Sequence, residues 1–197
     1  MPQSIIRDTV AVTRRNFVGH ASSVLLSASA IALMSGCESV ARSDHKSESQ
    51  DVAILNTALG LEHEAISAYQ LGAESGLLQK PVLDVAVQFQ SHHKAHRDAL
   101  IATIRKLGGR PVDAMALSAY AKALKVELLK SQADVLALAA KLELGATNAY
   151  LGVIPSFQSN ELAKVSARLA ADETMHWTVL SQALGRALPT GALSFGA

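Results

Sequence analysis

Leu61-Glu62-His63-Glu64-Ala65-Ile66-Ser67-Ala68-Tyr69 and Leu142-Glu143-Leu144-Gly145-Ala146-Thr147-Asn148-Ala149-Tyr150 are two versions of one phrase. Each opens on Leu-Glu and closes on Ala-Tyr, at a constant separation of 81 positions. A second phrase follows each: His93, His96 and Leu100 correspond to Glu173, His176 and Leu180 at a separation of 80. The one-residue difference falls between the phrases, where a loop between helices tolerates an insertion. The body of the chain therefore reads as one helical hairpin and its repeat.

Working outward, apolar residues recur at intervals of three and four from Asp51 onward, the period of a helix with one buried face. No segment alternates with period two between turn residues, which speaks against strands. Four long helices are predicted. The first spans about Val52 to Glu74 and stops at Ser75-Gly76. The second starts near Pro81, a good first-turn residue, and stops at Gly108-Gly109-Arg110-Pro111. After a long connection, 112 to about 120, with room for a short helix, the third ends before Pro155. The fourth spans about Asn160 to Leu184 and stops at Gly185 and Pro189. The predicted fold is all-α: a four-helix bundle over residues 51–187, built from two repeated hairpins with a long crossover, followed by a C-terminal tail at 188–197.

Composition agrees. Of 197 residues, 49% are hydrophobic and 18% charged, which excludes a disordered chain, and 4% aromatic content suits closely packed Ala- and Leu-rich helices. Lys plus Arg number 18 against 17 Asp plus Glu, with no basic face, so phosphate-driven nucleic-acid binding is excluded. Cys37 is the single cysteine, which rules out an intrachain disulfide framework and a Cys-rich zinc site.

The first 37 residues read as an export signal. Thr13-Arg14-Arg15-Asn16-Phe17-Val18 precedes a run of small and apolar residues to Gly36, and the arginine pair resembles a twin-arginine signal. A retained membrane anchor is the alternative, weakened by the Ser and Gly content of the run. Met34-Ser35-Gly36-Cys37 resembles a bacterial lipobox with Met34 where Leu is usual, so Cys37 is the expected lipidation site. Cleavage near Ala28-Ser29-Ala30 is the other option. Residues 38–50, ESVARSDHKSESQ, read as a polar tether that would hold the domain beside a membrane through the lipid at Cys37.

Six ionisable residues fall on the apolar stripes. Glu62 lies in line with Leu55, Ala58, Ile66 and Tyr69. His93 and His96 lie in line with Ala86, Phe89 and Leu100. Glu143 lies with Leu136, Ala139, Ala146 and Tyr150, and Glu173 and His176 with Leu162, Leu169 and Leu180. His63 and Glu64 read as solvated neighbours, and His92 is turned about 100° from its stripe. Trp177 reads as packing between helices. Burying a carboxylate is costly unless it is paired or bound to metal. Six such residues at matching depth, related by a repeat, point to a metal site, and His with carboxylate oxygen suits iron, manganese or zinc. The i, i+3 pairs put two donors on one helix face.

At these residues the chain resembles the ferritin-like superfamily, over nearly all of 52–186. That architecture places a Glu on each of two helices and Glu-x-x-His on each of the other two, all facing inward. Glu62 and Glu143 match the single glutamates, and Glu173 with His176 matches one Glu-x-x-His. The second helix departs, since His93 stands where a bridging Glu is usual. The words LEHEAISAY and ADETMHW, with the export signal, look most like a secreted bacterial branch. The resemblance implies one or two ions of iron or manganese per chain. It also implies redox chemistry on iron or peroxide, of a ferroxidase-like or manganese-catalase-like kind, with a small oxidant as partner and a homodimer compatible with it. It further implies that Asp172 orients a ligating histidine, His96 being the candidate. Tyr69 and Tyr150, two turns from the glutamates, could hydrogen-bond a ligand, carry an electron, or pack with a satisfied hydroxyl. The alternative is a non-catalytic stress- or desiccation-related envelope bundle whose inward polar residues form a network without metal.

Overall fold

Two helix stops show how local chemistry sets the architecture. Gly108 adopts φ +74, and there Gly108 N–H donates to the Arg105 carbonyl and Gly109 N–H to the Ile104 carbonyl. The same closure recurs one repeat later. Gly185, at φ +67, donates to Gln182, and Arg186 donates to Ser181. Both are left-handed glycine caps that satisfy the last carbonyls of a helix.

The computed structural model describes residues 43–196, with side chains from residue 49. The export segment, Cys37 and the beginning of the tether lie outside the described residues. The elements are α1 (Ser43–Glu74), α2 (Lys80–Lys106), α3 (Leu117–Ala123), α4 (Gln132–Val153) and α5 (Asn160–Ala183), with 3-10 turns at Val126–Leu128 and Ile154–Ser156. There is no strand among the described residues, and no described helix is long and apolar enough to cross a membrane. Helix starts follow their punctuation. Pro81 sits in the first turn of α2, while the Ser131 and Ser159 hydroxyls accept backbone N–H bonds from Asp134 and Leu162 at the starts of α4 and α5.

α1 packs with α2 and α4 with α5, as two hairpins, and α1 lies against α4. The apolar core forms two clusters. One is built on Leu55, Leu59, Leu100, Ile104, Leu162 and Leu169. The other is built on Tyr69, Phe89, Leu136, Ala140 and Leu180. Along every long helix the inward Glu and His residues fall between the two.

The tether boundary is corrected. α1 begins at Ser43, so the last eight residues of the predicted 38–50 tether are helical. Asp51 is buried and its carboxylate accepts from Gln158 N–H at 2.9 Å and Ser159 N–H at 3.2 Å. Gln50 donates to the Ser156 carbonyl at 2.8 Å. These polar residues anchor the helix to the α4–α5 connection, and a helix once nucleated extends cheaply through residues without Gly or Pro. The C-terminal tail is also held: the Phe195 ring meets Trp177 edge-on at 5.2 Å, and Gly196 N–H donates to Asn148.

Candidate metal centre

The repeat gives the centre its symmetry. α1 and α4 deliver Glu62 and Glu143 from equivalent positions; α2 and α5 deliver His93 with His96 and Glu173 with His176. Glu62, His93, Glu143, Glu173 and His176 are each no more than 2% exposed, and His96 is 8% exposed. Bulk water therefore cannot solvate their charges.

Two overlapping groups of donors result. In the first, Glu62, His93, His96 and Glu173 each offer one atom within 4.8 Å of the others; in the second, His93, Glu143, Glu173 and His176 do the same. His96 Nδ1 lies 3.2 Å from Glu173 Oε1 and 3.7 Å from Glu62 Oε2. His176 Nδ1 lies 3.3 Å from Glu173 Oε2 and 3.5 Å from Glu143 Oε2. His93 stands between, with Nδ1 2.8 Å from Glu62 Oε2 and Nε2 3.2 Å from Glu143 Oε1. His93 and Glu173 thus belong to both groups.

The surrounding side chains repeat the symmetry. The Tyr69 hydroxyl donates to Glu143 and the Tyr150 hydroxyl to Glu62, each crossing from one hairpin to the other. His96 Nε2 lies 3.2 Å from Asp172 Oδ2. At the equivalent place His176 Nε2 lies 3.0 Å from His92 Nδ1, and the two rings stack. Each histidine with Nδ1 toward the centre is therefore held from behind at Nε2, by a carboxylate in one half and an imidazole in the other. This is the arrangement that fixes the tautomer and aim of a ligating histidine.

The electrostatics follow from burial opposed by pairing. Burial acts to raise the Glu62 and Glu143 carboxyls, but hydrogen bonds from the facing histidines outweigh it and hold both below the usual carboxylate range. Glu173 is raised, burial being the largest cause. Burial acts to lower His93 and His96, yet the facing carboxylates push them up to about 11 and about 10. His176 is raised in the same way by Glu143 and Glu173. Burial together with the facing carboxylates drives both tyrosines well above 10, so they remain hydrogen-bond donors.

Five inward atoms have no hydrogen-bond partner: His96 Nδ1, His176 Nδ1, Glu143 Oε2 and both oxygens of Glu173. Buried polar atoms are normally hydrogen-bonded; here the Glu173 oxygens have only the imidazole nitrogens of His96 and His176 close by, at 3.2 and 3.3 Å and without a hydrogen bond. The donor set of imidazole nitrogen and carboxylate oxygen suits iron, manganese or zinc. A metal ion fits these residues.

Over residues 50–186 the sequence matches the ferritin-like domain family. The chain belongs to that family. A solved structure similar to this ferritin-like chain is the crystal structure of a conserved hypothetical protein, rv2844, from Mycobacterium tuberculosis. It is 22% identical with a TM-score of 0.59, covering 74% of this chain and 97% of that one. At that identity the likeness is one of fold. No curated protein is similar enough to match. The family assignment accounts for the repeat, the four long helices and the inward Glu and His of this ferritin-like bundle.

Three readings of the sequence change. His63 is buried rather than solvated, with Nε2 3.2 Å from the Val112 carbonyl on the crossover. Glu64 is half-buried, and burial raises its carboxyl. His92, set aside as off the stripe, touches His176; the signal was present, because the repeat pairs His92 with Asp172. Thr147 carries no such signal in the sequence. It lies one turn beyond Glu143, fully buried, and its hydroxyl has no partner.

Proposed function

We propose that this ferritin-like chain holds one or two ions of iron or manganese through Glu62, His93, His96, Glu143, Glu173 and His176, and carries out redox chemistry on Fe(II) or peroxide. The observation that carries the reading is the convergence of five buried, partnerless ligand atoms between four helices. Iron or manganese bound there would supply one-electron oxidation and reduction that no side chain in the centre offers. The chain's own residues do the rest. Glu62 and Glu143 bring negative charge to opposite sides of the centre, and Glu173, common to both donor groups, turns one oxygen toward His96 and the other toward His176. Asp172 and His92 hold the aim of His96 and His176. Tyr69 and Tyr150 keep the glutamates oriented, while the apolar clusters on both sides exclude water.

Elemental analysis of the chain from residue 38, purified without chelator, tests this. One or two equivalents of iron or manganese are expected; no metal after reconstitution with each ion would sink the reading. In Glu143→Ala, metal uptake is expected to be lost while far-UV circular dichroism stays helical, and unchanged metal stoichiometry would refute the ligand assignment. A second reading, a bundle stabilised without metal in a non-catalytic envelope protein, is favoured by His93, whose imidazolium between Glu62 and Glu143 would be an internal counter-charge. The metal analysis decides between them.

The reading extends to place. The twin-arginine-like segment and the lipobox-like Met34-Ser35-Gly36-Cys37 would put the domain in the bacterial envelope, anchored by lipid at Cys37. Radioactive fatty acid is expected to label the protein in cells and not its Cys37→Ser variant.

A further inference from the structure

Where α1 and α5 end and α2 and α4 begin, the bundle forms a cavity of about 170 Å³. All four long helices line it, and Val126 and Leu129 of the crossover cover it. Apart from Tyr69 its walls are aliphatic or glycine. The Tyr69 hydroxyl is taken by Glu143, which does not line the cavity. A water needs two or more polar partners, and these walls supply none; an apolar cavity of about 150 Å³ stays dry and admits a benzene-sized guest. Protein interiors rarely leave voids larger than a water, because lining atoms without neighbours lose their dispersion contacts.

Size and shape narrow the guest. The lining runs from Ala65 to Gly72 on α1 and from Val135 to Leu142 on α4, about 10 Å along the bundle at 1.5 Å per residue. Small residues, Ala68, Ala86 and Ala139, leave room in the wall by their lack of bulk, while Gly72 is closely met by Val135. Tyr69 is the one aromatic ring in the wall, so little there would stack on an aromatic guest. Val179 on the α5 wall is 44% exposed, so the cavity reaches the surface.

We propose that this cavity binds the unbranched alkyl chain of a small molecule, lying along the bundle with its inner end against Tyr69. The site stands whether or not the centre holds metal. Tyr69 forms part of its wall and at the same time holds Glu143, so a seated chain would touch a residue that supports the centre.

The test is titration of the purified chain with 1-octanol, followed by calorimetry and thermal melting, beside Ala139→Leu and Ala68→Leu, which add bulk inside the cavity. Saturable binding by the wild-type chain, weakened about tenfold or more in the filled variants, is expected, since each variant displaces methylenes from apolar surroundings. Absence of saturable binding in the wild type overturns the proposal. So does undiminished binding in filled variants that still melt cooperatively, or tighter binding of benzene than of octanol. Should both variants unfold, magnetisation transfer between octanol methylenes and the Tyr69 ring of the wild-type chain decides: contact supports the site and its absence refutes it.

Discussion

Single residues set the character of the centre. Tyr69→Phe removes the hydroxyl that Glu143 accepts and leaves a buried carboxylate oxygen short of a donor. A loss of about 1.5–3 kcal/mol is expected, the worth of a hydrogen bond to a charged group, and urea denaturation of chelated protein measures it. Tyr150→Phe is expected to cost at least as much, because Glu62 Oε1 then keeps no donor, whereas Glu143 Oε1 keeps His93. The pH dependence of chelated protein follows from the histidines and glutamates. His93 and His96 titrate at about 11 and about 10 in the fold against an ordinary 6.5. Their stabilisation is therefore complete below pH 6.5 and lost as pH rises through 10 to 11. Glu62 and Glu143 lie below an ordinary 4.5, so theirs is present above pH 4.5 and lost as pH falls. Thermal melts at a series of pH values are expected to peak between about 4.5 and 6.5 and decline steadily toward 10. A melting temperature flat from 6.5 to 10 would contradict the pairing.

Elements are held by a few polar and glycine positions more than by propensity. Gly108 caps α2 at φ +74, a backbone region costly for any residue with a Cβ, though no atom lies within 4 Å of where that Cβ would be. Gly108→Ala is therefore expected to cost about 1 kcal/mol through conformation alone. Asp51 behaves differently. Its carboxylate satisfies two N–H groups of the α4–α5 connection, so Asp51→Ala should cost about 1–3 kcal/mol and speed amide exchange at Gln158 and Ser159. Slow exchange there in the variant would show that other bonds hold the connection. The tether boundary was misread from sequence for this same reason. Gln50 looks like linker composition and Asp51 only opens the periodic stretch; their partners 106 to 108 positions away turn them into a docking point.

At the scale of the molecule, ions held between four helices would bind only the folded chain, so metal and stability would be linked. Free metal at a hundred times its dissociation constant is expected to add about 2.7 kcal/mol to the unfolding free energy, read as a rise in melting temperature reversed by chelator and absent in Glu143→Ala. The all-α class, the two hairpins, the helix stops at Gly108 and Gly185 and the six inward Glu and His residues were legible in the chain. All of these depend on period and on local backbone chemistry, which a linear sequence records. The crossing of Tyr69 to Glu143 and of Tyr150 to Glu62, the burial of His63 under the crossover and the cavity beside Tyr69 were decided by tertiary structure alone. They depend on which helix faces which and at what depth, a matter of packing between segments far apart in sequence, to which helical period is blind.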